Sequence, residues 1–61
     1  MALAQILGRL GYSHEELGEY DAALYYYKLL KSVSANPDGV QRLIDSVEAM
    51  QAQPVTEPQA L

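Results

Sequence analysis

Leu7-x2-Leu10-Gly11, then Gly18-Glu19-Tyr20-Asp21-Ala22-Ala23-Leu24, then Tyr27 and Pro37 decide how this chain is read. Apolar residues on both sides of Gly18 recur every three or four positions, the period of a helix and not of a strand. Gly18 falls where a turn calls for a positive φ angle. The stretch is therefore a helix–turn–helix unit of about 34 residues. It closes near Asn36-Pro37-Asp38-Gly39, where Asn36 suits an N-cap and Pro37 the first helical position.

Working outward, residues 2–16, 20–34 and 37–52 are predicted to be helices, giving an all-α domain over residues 1–53. Asp21 near the start of the second helix and Lys28 and Lys31 toward its end suit the helix dipole. Residues 54–61 hold two prolines and no periodicity, and are predicted to be a disordered or extended tail.

On the first helix, Leu3, Ile6, Leu7, Leu10, His14 and Leu17 share one face, which is expected to pack on the second helix. The second helix carries two apolar stripes. One is Tyr20, Ala23, Leu24, Tyr27 and Leu30, expected to lie under the first helix. The other is Ala22, Tyr25, Tyr26, Leu29 and Val33, expected to lie under the third. The third helix has a single stripe of Val40, Leu43, Ile44, Val47 and Met50. Gln41, Arg42, Asp45, Ser46 and Glu48 face away from it, as on a terminal helix that ends a stack.

Ala4, Gly8 and Gly11, with Tyr12 beside them, form a stripe of small residues on the first helix. A glycine inside a helix costs about 1 kcal/mol relative to alanine. Close approach of another backbone is the usual offset. Packing inside the hairpin accounts for Gly11 but not for Gly8. The exposed side of this helix is the expected partner surface.

Composition narrows the function. A 61-residue chain buries only roughly 60% of the surface its unfolded form exposes, so such a domain is marginally stable. Disulfides, metals or association are the usual remedies. The chain has no cysteine and one histidine, His14, which leaves association and predicts no metal or cofactor. Eight acidic and four scattered basic side chains give a net charge of −4, which argues against nucleic acid. No apolar run approaches the ~20 residues of a membrane span. No basic residue precedes the first apolar stretch as it would in a signal peptide, so a cytoplasmic location is expected.

The unit resembles a tetratricopeptide repeat over residues 4–37. Leu10, Gly11, Gly18, Tyr20, Ala23 and Tyr27 stand at the family's spacing, with Gly18–Leu24 the most specific piece. Leu7 takes a slot usually held by Trp, His14 one usually aromatic, and Leu30 one commonly Ala. Pro37 comes about two residues later than the family's closing proline. A second repeat begun at Asp38 would put Gln41, Ile44, Asp45 and Glu48 at the signature slots, and only Ile44 fits. The resemblance implies an α-α superhelix type: one repeat hairpin and a capping helix. It also implies peptide or protein binding along the first helix, here Gln5, Gly8, Tyr12, Glu15 and Glu16. Members that clamp acidic C-termini place Lys, Arg and Asn there. Two glutamates disfavour such a ligand and suit a basic or apolar one.

No catalytic constellation emerges. Glu15 and Glu16 are adjacent, so on a helix they point about 100° apart and cannot converge on one substrate. His14 with Ser13 or Glu15 fails in the same way to build a triad. The sequence predicts a non-catalytic interaction scaffold. As about three repeats are needed for a stable solenoid, self-association is expected to complete the fold, most simply as a two-fold dimer. Ala4, Gly8, Gly11 and Tyr12 are the expected interface. The alternative is a small subunit, chaperone or assembly factor docked on a larger protein that supplies the missing helix. A monomeric peptide-recognition module is a third. On the dimer reading, a bulky residue in place of Gly8 disrupts association, which the oligomer mass would report.

Overall fold

The computed structural model describes residues 2–52; the tail predicted over 54–61 lies outside the described residues. The fold is all-α: α1 (Leu3–Glu16), α2 (Tyr20–Val33) and α3 (Pro37–Ala52). These bounds agree with the predicted helices to within one residue at either end, because the breakers are local.

At the end of α1, Gly18 adopts φ 77°, the left-handed region in which a side chain is strained. The Gly18 N–H donates to the Glu15 carbonyl at 3.0 Å and the Glu19 N–H to the His14 carbonyl at 2.8 Å. This pair of bonds is the Schellman motif, which satisfies two carbonyls the helix would leave free. At the start of α3, Asn36 Oδ1 accepts from the Gly39 N–H at 3.3 Å, so Asn36 serves as the N-cap ahead of Pro37. Asp21 lies in the first turn of α2.

One core joins the three helices: Leu7 from α1, Ala23, Leu24, Tyr27 and Leu30 from α2, and Val40, Ile44 and Val47 from α3. Among the described residues no polar or charged side chain is buried. Two bonds hold α3 antiparallel beside α2. Lys31 Nζ donates to Gln41 Oε1 near one end, and Gln51 Nε2 to Asp21 Oδ1 near the other.

The packing corrects both face assignments. On α1 the buried residues are Leu7 and Gly11, with Ala4 half-buried beside them. Leu3, Ile6, Leu10 and Leu17 are exposed. The reason is Tyr27. An atom at the Cβ position of Gly11 would lie 2.5 Å from Tyr27 Cε1, so the ring occupies the space a larger residue would fill. Turning the leucine stripe inward would eject that ring.

On α2, every buried residue belongs to the first stripe. Both neighbours use it, α1 along the Tyr27–Leu30 side and α3 along the Asp21–Lys31 side. Tyr25, Leu29 and Val33 of the second stripe stay exposed. In so short a chain a single cluster around Tyr27 buries its members fully, where two thin layers would leave each half wet.

The glycines separate these effects. At Gly8 an added Cβ would meet Leu30 Cδ2 at 3.7 Å, an ordinary contact. Gly8→Ala is expected to stabilise by about 0.5–1 kcal/mol through helix propensity. Gly11→Ala is expected to destabilise, since overpacking of about 1–3 kcal/mol exceeds that gain. Thermal melts at one fixed protein concentration would show Tm moving in opposite directions.

Candidate interaction surface

The predicted surface residues divide into two groups. Gly11 is buried under Tyr27, Gly8 faces Leu30 and Ala4 packs against the core. The small-residue stripe is thus an internal seam of the hairpin and does not face outward as expected. Bulk at Gly8 would press on Leu30 of the same chain, so such a variant tests the hairpin before it tests association.

Glu15 is half-buried, and its Oε1 accepts from the Tyr27 hydroxyl at 2.9 Å. That bond satisfies the one polar atom Tyr27 brings into the core. Gln5, Tyr12 and Glu16 are exposed and, at about 100° per residue, line one strip of α1. The Tyr12 hydroxyl is held above its ordinary pKa by the negative charge of the Glu16 carboxylate nearby.

The opposite flank of α1 is apolar. Leu3, Ile6, Leu10 and Leu17 fall in one sector of the helix. His14, at the edge of that sector, stacks on Tyr26 of α2 with ring centroids 5.3 Å apart and planes 11° apart. This contact marks the side on which the exposed stripes of α1 and α2 meet. Tyr25 packs edge-on against Tyr26 with centroids 5.3 Å apart, and Leu29 and Val33 continue the row. His14 Nδ1 also donates to Glu19 Oε1 at 2.6 Å, which ties the turn to the same edge.

The hairpin therefore has two unlike faces. One carries α3. The other is an open sheet of side chains in which Leu3, Leu17 and Tyr25 are 55%, 70% and 60% exposed. No Asp, Glu, Lys or Arg falls within this sector of either helix. Sequence patterning found these residues but assigned them to packing. The signal that could have placed them outside was the fit of an aromatic ring to Gly11.

Elsewhere a shallow depression beside the α1–α2 turn is lined by Gly18, Glu19, Tyr20, Asp21, Ala22 and Gln51. Its carboxylates are already engaged, Glu19 with His14 and Asp21 with Gln51. Among the described residues no three His, Cys, Asp or Glu side chains cluster to hold a metal ion. No helix there is long and apolar enough to cross a membrane. The chain matches no protein-family model, no curated protein and no solved structure.

The Tyr27–Glu15 pair predicts an alkaline limit on stability. Burial first, then the bond to Glu15, raises the Tyr27 pKa well above its ordinary 10.0. The folded phenol stays neutral where the unfolded one ionises. Its contribution is complete below pH 10 and is lost as pH rises beyond it, by up to about 1.4 kcal/mol per pH unit. Urea midpoints should fall above pH 10. Tyr27→Phe should be less stable at neutral pH and show a shallower alkaline decline.

Proposed function

We propose that this protein is a non-catalytic interaction scaffold of the tetratricopeptide type, that it completes its fold by self-association, and that a cytoplasmic location goes with this role. The observation that carries the reading is the open apolar face of the α1–α2 hairpin. Monomeric proteins seldom leave so large a contiguous apolar patch uncovered, and such patches mark interaction sites. The opposite end of the molecule supports it. The outward side of α3 holds Arg42, Asp45, Ser46 and Glu48, all exposed, and suits solvent. A helical stack that ends on one side and stays open on the other is a terminal unit awaiting a neighbour.

Energetics point the same way. The core consists of eight side chains, one of them alanine. A cluster this small leaves a domain near the threshold of stability. Covering the open face would add burial of the kind the interior lacks, so folding and association are coupled in this reading.

Light scattering after size exclusion, across a wide dilution series with helicity recorded alongside, tests the proposal. A discrete oligomer whose helicity falls as it dissociates is the expected result. A helical monomer at every concentration would overturn self-association and direct attention to a peptide ligand for the Gln5–Tyr12–Glu16 strip. A poorly helical monomer would favour the second reading, a subunit or assembly factor whose partner supplies the covering helix.

A further inference from the structure

We infer that the occupant of the open face is a second copy of this chain, docked face to face about a two-fold axis through the seam between α1 and α2. The inference rests on the self-association reading and names its surface. Each copy contributes Leu3, Ile6, Leu10 and Leu17 from α1 and Tyr25, Leu29 and Val33 from α2. The two hairpins form a four-helix layer pair, and each α3 lies on the outside.

Area is the first argument. The fractional exposures of the seven side chains add to about three and a half whole residues. At ~150–200 Å² for a large residue, toward the lower end of the aromatic range because six of the seven are aliphatic, this is on the order of 500–700 Å² per copy. A stable interface of standard size needs about 800 Å² from each partner. The half-buried Tyr26 and His14 on the same face supply more.

Charge is the second. The chain carries −4, yet the sector that forms this face holds no Asp, Glu, Lys or Arg. Two copies meeting here keep their like charges on the far sides of the dimer, including Asp38, Asp45 and Glu48 of α3. Head-to-tail stacking would instead press this face against the outward side of α3. That arrangement would bury Arg42, Asp45 and Glu48 against leucine and tyrosine with no partners, which is strongly unfavourable. The isologous contact closes at two copies, whereas the head-to-tail contact would run on into a filament.

The absence of cysteine makes the geometry directly measurable. Near a two-fold axis a residue faces its own counterpart. Leu10 and Leu29 flank the seam midway along the hairpin, and Ser46 lies on the outward side of α3. Single variants Leu10→Cys, Leu29→Cys and Ser46→Cys would be oxidised and run on a non-reducing gel, with the mass of the untreated wild type measured in parallel. The expected result is a dimer in solution, with Leu10→Cys or Leu29→Cys crosslinking to itself far more completely than Ser46→Cys. Leu29→Glu, checked for helicity, should weaken the dimer ~10-fold or more by placing an unpaired charge in the contact.

A wild-type oligomer with no self-crosslink at either seam position would overturn this surface while leaving self-association standing. So would a crosslink that forms only when Leu29→Cys and Ser46→Cys are mixed. A wild-type monomer would remove both the surface and the reading beneath it.

Discussion

One edge of the Tyr27 ring rests where a side chain at Gly11 would stand, and its hydroxyl reaches Glu15 one helical turn further along α1. Burying such a side chain is worth roughly 2–3 kcal/mol, a large share of the stability available to a small domain. The bond to Glu15 removes the penalty for its hydroxyl. Together the two contacts set the rotation of α1 about its own axis. They direct Gly11, Leu7 and Ala4 toward α2 and send the leucines at 3, 10 and 17 to the other side. They also withdraw Glu15 from the surface that it was expected to share with Tyr12 and Glu16.

The placement of α3 follows from the same ring. Tyr27 lies in the middle of the only stripe of α2 that is buried, so a second helix gains most by joining α1 around it. With three residues, Ser34–Asn36, between α2 and α3, the chain turns back at once along α2. The Lys31–Gln41 and Asp21–Gln51 bonds then hold both ends of the pair. The two neighbours of α2 share one side of it, which leaves its other side, and the adjoining side of α1, without cover among the described residues.

An asymmetric molecule results. Its outer α3 surface is polar, with Leu43 exposed at the edge of that helix's apolar stripe, and its hairpin surface is apolar and unfinished. The proposed scaffold role rests on that inequality and not on any chemistry of individual groups. Glu19 and Asp21, the carboxylates that line the depression beside the turn, spend their hydrogen bonds on His14 and Gln51. The remaining strip of Gln5, Tyr12 and Glu16 is polar, acidic and solvent-facing. A face without charge and a strip with it are suited to different contacts.

By itself the sequence determined the three helices, the turn at Gly18, the cap at Asn36 and the polar exterior of α3. Each of these is decided within four or five residues, by backbone conformation, a capping oxygen or the period of a single helix. The composition of the core was legible too, since all eight buried hydrophobic side chains stand at predicted apolar positions. Which apolar stripe would be covered was decided only by the tertiary structure. Periodicity ranks sectors of a helix by hydrophobicity, and on that scale the leucine sector of α1 outranks one built of Ala4, Gly8 and Gly11. Packing ranks them by fit. A flat ring seats closely against glycine and cannot seat against leucine without moving the helices apart, so the smaller residues were buried and the larger ones left to face outward.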